Sequence, residues 1–414
     1  GALVAEQLDT LSPLYDQLHA FVRRRLGEHY GTDKVPPNGK IPAHLFGNMW
    51  AQDWANIYPL VAPFPAVPIP SSEAITHKMA ENGWNYTTVV KTAESFFASL
   101  GLGNLPDSFW TKSMFQKPPD RNVTCHASAW DFLVDDDVRL KMCVKVNFED
   151  LVTAHHELGH LYYDLNYADQ RLLFRTGAND GFHEAIGDAI ALSITPQYLK
   201  QLDLASAMAH SEPVTINTLM SQALQRVAFL PFGYLVDAYR WRVFSGSIPA
   251  SKYNQGWWEV RGMYQGIEPP VTRSETDFDP GAKFHVANNV PYMRYFLAHI
   301  LEFQFYEAMC DAAGHTGPLH TCTVFGRTEA GDKLRSMLQL GASLPWPQAL
   351  EKLTGTTKLS SRSLLRYFQP LQDYLEADNA KHNAAIGWPG RKESPGSPSG
   401  SALHVSSSAA ALAV

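Results

Sequence analysis

Leu8, Leu11, Tyr15, Leu18, Val22 and Leu26 recur at intervals of three and four residues and stop before Gly31, the spacing of one buried face of a long helix. The same period runs through residues 88–100, 149–166, 181–195, 216–244, 291–313, 329–340 and 360–378, which are each expected to be helical. Strand signals are few. Residues 123–126 and 142–147 predict a short hairpin with its centre at the acidic run Asp135–Asp137. Residues 35–80 are rich in proline and read as loops around one helix near LFGNMWAQDWANIY. No internal repeat interrupts the pattern. From Gly390 onward serine, glycine, proline and alanine dominate, so residues 390–414 are expected to form a disordered tail behind a domain spanning 1–389.

Composition narrows the class. The chain has 414 residues, 45% of them hydrophobic, with 10 Trp, 17 Tyr and 21 Phe, enough for a large interior with more than one lobe. Lys+Arg is 34 and Asp+Glu is 41, a net charge of -7; nothing in this balance points to nucleic acid, and it is too mild to imply disorder. No run of 18 apolar residues exists, so no transmembrane segment is expected. The four cysteines fall into two local pairs, Cys125 with Cys143 and Cys310 with Cys322, beside two sequons at Asn85 and Asn122. An even cysteine count with sequons favours an extracellular or secreted setting, against the alternative of four buried thiols and two chance triplets. The N-terminus, GALVAEQLDT, has neither Met nor a leader pattern, which implies a removed secretory signal or a fragment.

The stretch AHHELGHLYYDL contains His156-Glu157-Leu158-Gly159-His160. On a helix, residues four apart share a face, so His156 and His160 can reach one ion. Glu157 borders that site, where it can take a proton from a zinc-activated water. The alternative is a pair of core or surface histidines. His155 projects from a shifted face and is read as a bystander. A catalytic zinc needs a third protein ligand, and Gly181-Phe182-His183-Glu184-Ala185-Ile186-Gly187-Asp188 offers Glu184, with Asp188 placed to orient a ligand imidazole. No H-x-x-G-x-x-H follows the first motif, which argues against a metzincin.

HHELGH followed by GFHEAIGD, with Glu184 placed 24 residues after His160, resembles the angiotensin-converting enzyme family of zinc dipeptidyl carboxypeptidases. LFGNMWAQDWANIY, CHASAWDF, FLPFGYLVDAYRWRVF, DFDPGAKFH, VPYMRYF, AAGHTGPLH and GWP agree with it, over residues 10 to 389. The resemblance implies a mainly α fold, two helical halves around a deep central cleft with a small β hairpin near the zinc. It implies Zn2+ held by His156, His160 and Glu184, with Glu157 as general base and then acid. His285 and Tyr295 match the family's donors to the oxyanion. Gln52, Lys283 and Tyr292 match its grip on a substrate's free C-terminal carboxylate. His126, Ala127 and Ser128 match its substrate-binding strand edge. The family's single-residue carboxypeptidase branch carries an arginine in place of Gln52, so Gln52 favours dipeptide release. Chloride is implied as an activator, with Trp257, Arg261 and Arg294 matching parts of its two sites. The cysteine spacings also match the family's disulfides.

Three features depart from the family. Its catalytic domain begins upstream of Gly1, with lid helices, a further cysteine pair and other chloride ligands. Thr153, and His299 where relatives often carry Phe, are expected to alter subsite preference. The tail does not resemble the family's anchored end. The expected activity is therefore zinc-dependent release of C-terminal dipeptides from oligopeptides; the rival is a truncated, weakly active or inactive homologue that binds peptides or a partner without turnover.

Overall fold

The computed structural model describes residues 2–205 and 211–391, and the fold is mainly α. Among the described residues nine long helices carry it: α1 (Ala2–Tyr30), α2 (Tyr86–Ser99), α3 (Phe148–Asn166), α4 (Asp180–Leu192), α5 (Glu212–Phe244), α6 (Tyr253–Gln265), α7 (Met293–Ala312), α8 (Thr328–Leu338) and α9 (Arg362–Lys381). The expected periodic segments all lie in these helices, with ends shifted by a few residues. α6 was not expected: its apolar face is broken by Gly256 and Gly262 in YNQGWWEVRGMYQ.

α7 is the centre of the core. Phe296, Ile300, Leu301, Phe303, Phe305 and Tyr306 bury it on several faces, as expected of a helix surrounded by others. It packs on α4, α5, α8 and α9, while α3 crosses α4 and α2, and α1 lies along α9. Of the expected tail, residues 392–414 lie outside the described residues.

Three expectations differ from the structure. Residues 35–80 are not only loops around one helix: Ser72–Glu81 is an α-helix, opened by Ser71 Oγ accepting from Ala74 N at 3.1 Å. LFGNMWAQDWANIY does not form a long helix; it contributes the 3-10 turns Ala43–Phe46 and Ala55–Ile57 and a short turn of helix at Tyr58–Val61. Gly47 ends the first turn in the left-handed region, and the Asn48 side chain accepts from Trp50 N at 3.0 Å, a local bond that competes with helix. The hairpin exists, but its ladder lies inside the cysteines: β1 (Ser128–Asp131) pairs antiparallel with β2 (Val138–Lys141), in the register Ser128↔Lys141 to Asp131↔Val138. The turn is held by Phe132 N donating to Asp137 O, and the Cys125–Cys143 disulfide closes the base. The second expected disulfide, Cys310–Cys322, pins the end of α7 to the following loop. No helix among the described residues is long and apolar enough to cross a membrane.

Candidate metal centre

Asparagine caps start both helices of the site. Asn147 Oδ1 accepts from Asp150 N at 2.7 Å to open α3, and Asn179 Oδ1 accepts from Gly181 N at 2.9 Å to open α4. The helices then cross at glycine on glycine. A Cβ on Gly159 would lie 2.9 Å from Gly187 Cα, and one on Gly187 would lie 2.6 Å from His156 Nδ1. Only hydrogen at both positions lets the helix with the histidines approach the helix with the carboxylates this closely.

That approach gathers the expected ligands. His160 Nε2 lies 3.2 Å from His156 Nε2, and Glu184 Oε2 lies 3.5 Å from the same atom. The three ligand atoms all fall within 4.8 Å of one another. A tetrahedral zinc with bonds of about 2.0–2.1 Å holds its donors about 3.3 Å apart, so two of the three separations already match and the set fits the ion. The opposite ring nitrogens are held. His156 Nδ1 donates to Asp188 Oδ1 at 3.1 Å, leaving Nε2 as the lone-pair atom. His160 Nδ1 faces His183 Nδ1 at 3.4 Å, and His183 Nε2 lies 3.8 Å from Asp164.

The carboxylates and imidazoles also set one another's protonation in the metal-free site, where a proton on His156 takes the place of the cation. Burial opposes protonation of His156, but Asp188 and Glu184 overcome it and raise the imidazole well above its ordinary value. Burial, with charge on His156 and His183, pushes His160 down to about 3. Burial also disfavours ionised Glu184, but the histidines outweigh it and hold the carboxyl below its usual range. Glu157, one residue round from the pair, is 8% exposed; burial raises it, while His156 above all, then His126 and the Ala129 backbone N–H on β1, oppose that shift. His155 is a bystander: buried, with Nδ1 2.7 Å from Leu151 O and Nε2 3.2 Å from Tyr198 OH.

The triad opens on a cavity of about 1380 Å³. Gln52, His126, Ala127, Ser128, Lys283, His285, Tyr292 and Tyr295 line it together with the triad and Glu157. Lys283 Nζ donates to Gln52 Oε1 at 2.6 Å and lies 5.3 Å from the Tyr292 ring centroid, and burial lowers it to about 8. His285 Nε2 lies 3.4 Å from Tyr295 OH. Burial, then the positive charges of Lys283, Arg294 and Arg240, lower His285 to about 4. Asp237 fixes the start of α7: its Oδ2 accepts from Tyr292 N at 3.0 Å and Met293 N at 2.7 Å, and its Oδ1 pairs with Arg240.

With the site in view, the family model described as angiotensin-converting enzyme matches residues 2–388. The chain belongs to the angiotensin-converting enzyme family. It is 53% identical over 382 residues to the angiotensin-converting enzyme of Mus musculus, covering 92% of this chain and 29% of that protein. The Bos taurus enzyme is 51% identical over 395 residues, covering 95% of this chain and 30% of its own length. That of Theromyzon tessulatum is 49% identical over 385 residues, covering 93% and 62%. The chain thus spans less than a third of the first two relatives and under two thirds of the last.

The residues expected at the chloride sites, Trp257, Arg261 and Arg294, are not among those that line the cavity. Trp257 and Arg261 are buried behind it; Arg261 Nε donates to Gln265 Oε1 at 3.1 Å and its Nη2 donates to Trp50 O. Arg294 lies with its guanidinium carbon 5.5 Å from the Tyr295 ring centroid, and its buried Nε has no hydrogen-bond partner. His299 lines the cavity, but Thr153 does not: its hydroxyl turns back to Glu149 O at 2.9 Å, which corrects the expected part for Thr153 in subsite preference. Asn85 and Asn122 are exposed, and Asn85 also caps α2.

Sequence reasoning missed His183, Asp237 and the Gly159–Gly187 contact. His183 sits beside Glu184 in the quoted motif, and Asp237 lies in the block YLVDAYRWR, so each was visible as a residue. Their partners sit on other helices and were not.

Proposed function

We propose that this chain is an extracellular zinc peptidyl-dipeptidase that releases C-terminal dipeptides from oligopeptides. The observation that carries the reading is one cavity shared by three metal-ligand side chains, a buried glutamate beside them and a lysine–glutamine pair able to grip a carboxylate.

His156, His160 and Glu184 would hold Zn2+, which supplies Lewis acidity toward water and a peptide carbonyl. Glu157 accepts the proton of the attacking water and returns it to the departing amine, a cycle its burial favours by keeping the neutral form accessible. Tyr295 OH and His285 Nε2, facing each other across the cavity wall, donate to the oxygen on which negative charge develops. Lys283, Gln52 and Tyr292 hold the substrate's terminal carboxylate with a charge-assisted bond, which sets where the chain is cut. His126, Ala127 and Ser128 offer main-chain groups to an extended peptide beside Glu157. The orphaned Nε of Arg294 suits an anion such as chloride next to Tyr295, whereas Arg261 already donates to two protein acceptors. Two disulfides and the exposed Asn85 and Asn122 support an extracellular setting and N-glycosylation.

The test is hydrolysis of an N-blocked tripeptide with zinc and chloride, before and after a chelator. Chelator-sensitive release is expected, with Glu157→Gln slower by about 10²- to 10⁴-fold and still zinc-loaded. No release by a folded, zinc-loaded chain sinks the reading and leaves a peptide-binding homologue without turnover.

A further inference from the structure

Arg226 on α5 has no place in the chemistry above, yet it lines the same cavity. It also lines a second cavity of about 240 Å³ that adjoins the first, sharing Gln225 and Arg226 with it. A guanidinium carries five N–H donors and no acceptor. Arg226 makes no hydrogen bond to any described residue, and its Nε is buried without a partner. Among the described residues its one ion-pair contact is with Glu302 of α7, at 3.7 Å from Nε to Oε1, beyond hydrogen-bonding distance. The Glu302 side chain is 1% exposed and that of Arg226 is 19%, and Arg226 lines the cavity whereas Glu302 does not.

Its position along the cavity is defined from both ends. Arg226 is one helical turn before Phe229, on the same face of α5. The Phe229 ring stacks on His299 at 4.4 Å and lies 6.1 Å from the ring of Tyr292, at the carboxylate grip. At the other end Asp188, the partner of His156, is close enough to act on the charge of Arg226. Arg226 and Phe229 line the same cavity as the metal ligands and Lys283, so a peptide held between those groups lies in the space that Arg226 borders.

We propose that Arg226 selects an acidic side chain, Asp or Glu, at one of the two residues of the dipeptide that leaves. The inference rests on the peptidase reading. Carboxylate on guanidinium is bidentate and charge-assisted, and it fills donors that otherwise stay empty. Glu302 and Asp188 oppose an incoming anion, but Glu302 is buried and neither is among the residues that line the cavity, and Asp188 is already bonded to His156. A lysine side chain in the same place meets Arg226 first and is repelled.

The test is calorimetric binding of Ala-Glu, Glu-Ala, Ala-Gln and Gln-Ala to the whole zinc-loaded chain. Within one of the Glu/Gln pairs the acid is expected to bind about 10-fold or more tightly, the scale of a desolvated charge pair. Arg226→Gln should bring that ratio to about one, and Arg226→Lys, which keeps the charge without the fork, should retain part of it. Arg226→Lys decides the matter if Arg226→Gln does not fold. Equal affinities in the parent, no binding of any dipeptide, or a ratio that survives Arg226→Gln each overturn the proposal. Tripeptide hydrolysis run in parallel separates the two claims: no hydrolysis with the ratio intact defeats the peptidase reading alone, and hydrolysis without the ratio defeats the role of Arg226 alone.

Discussion

Replacing Gly187 by alanine exchanges one hydrogen for a methyl group, and the geometry says what the new carbon meets. The new Cβ would lie 2.6 Å from His156 Nδ1 and 2.8 Å from His156 O, where ordinary contact begins at 3.4 Å. The imidazole must retreat by 0.8 Å (3.4 − 2.6) and the carbonyl by 0.6 Å (3.4 − 2.8). Because the second obstacle is backbone, a change of rotamer does not relieve it; α3 and α4 must separate. A shift of that size breaks the 3.1 Å bond from His156 to Asp188 and spreads the metal ligands. Losing the orienting partner of a ligand imidazole weakens metal binding by about 10- to 100-fold. Forcing an extra carbon into a closed contact costs about 1–3 kcal/mol of stability. The assay is zinc affinity by competition with a chromophoric chelator, with thermal unfolding in excess chelator to read the packing alone. A Gly187→Ala chain with parental zinc affinity and parental Tm refutes the claim that this contact builds the site.

Three further outcomes follow from the same geometry. Burial lowers Lys283 to about 8, so its charge is present below that pH and lost as pH rises through it; kcat/KM for peptides with a free terminal carboxylate should fall above about pH 8, and an identical fall in Lys283→Gln contradicts the assignment. Asp237→Ala leaves Arg240 buried without its carboxylate and removes both bonds that start α7, so denaturant unfolding should show a loss of about 3–5 kcal/mol, and an unchanged midpoint counts against it. Replacing Cys310 and Cys322 together by serine opens a loop of sequence separation 12, expected to cost about 3 kcal/mol in equilibrium unfolding; a loss under about 1 kcal/mol contradicts the view that this bond restrains the unfolded chain.

What could be read from the sequence was what is local. His156, Glu157 and His160 declare themselves because one helical turn sets their geometry, and the residues 88–100 pattern became α2 because its apolar face is unbroken. LFGNMWAQDWANIY misled because its composition is helical while Gly47 and the Asn48 side chain stop the helix. The hairpin cysteines drew the expected strands outward, whereas the ladder forms nearer the turn. Arg226, Asp237, Gly159 and Gly187 act only through residues on other helices, and no spacing within one segment announces such a crossing.

The most direct measurement is the mass of the first product released from an N-blocked heptapeptide by the zinc-loaded chain. The account predicts a free C-terminal dipeptide and a blocked pentapeptide, both absent when Glu157 is glutamine. Release of a single C-terminal amino acid, or an internal cut, contradicts the carboxylate grip of Gln52, Lys283 and Tyr292 on which the account depends.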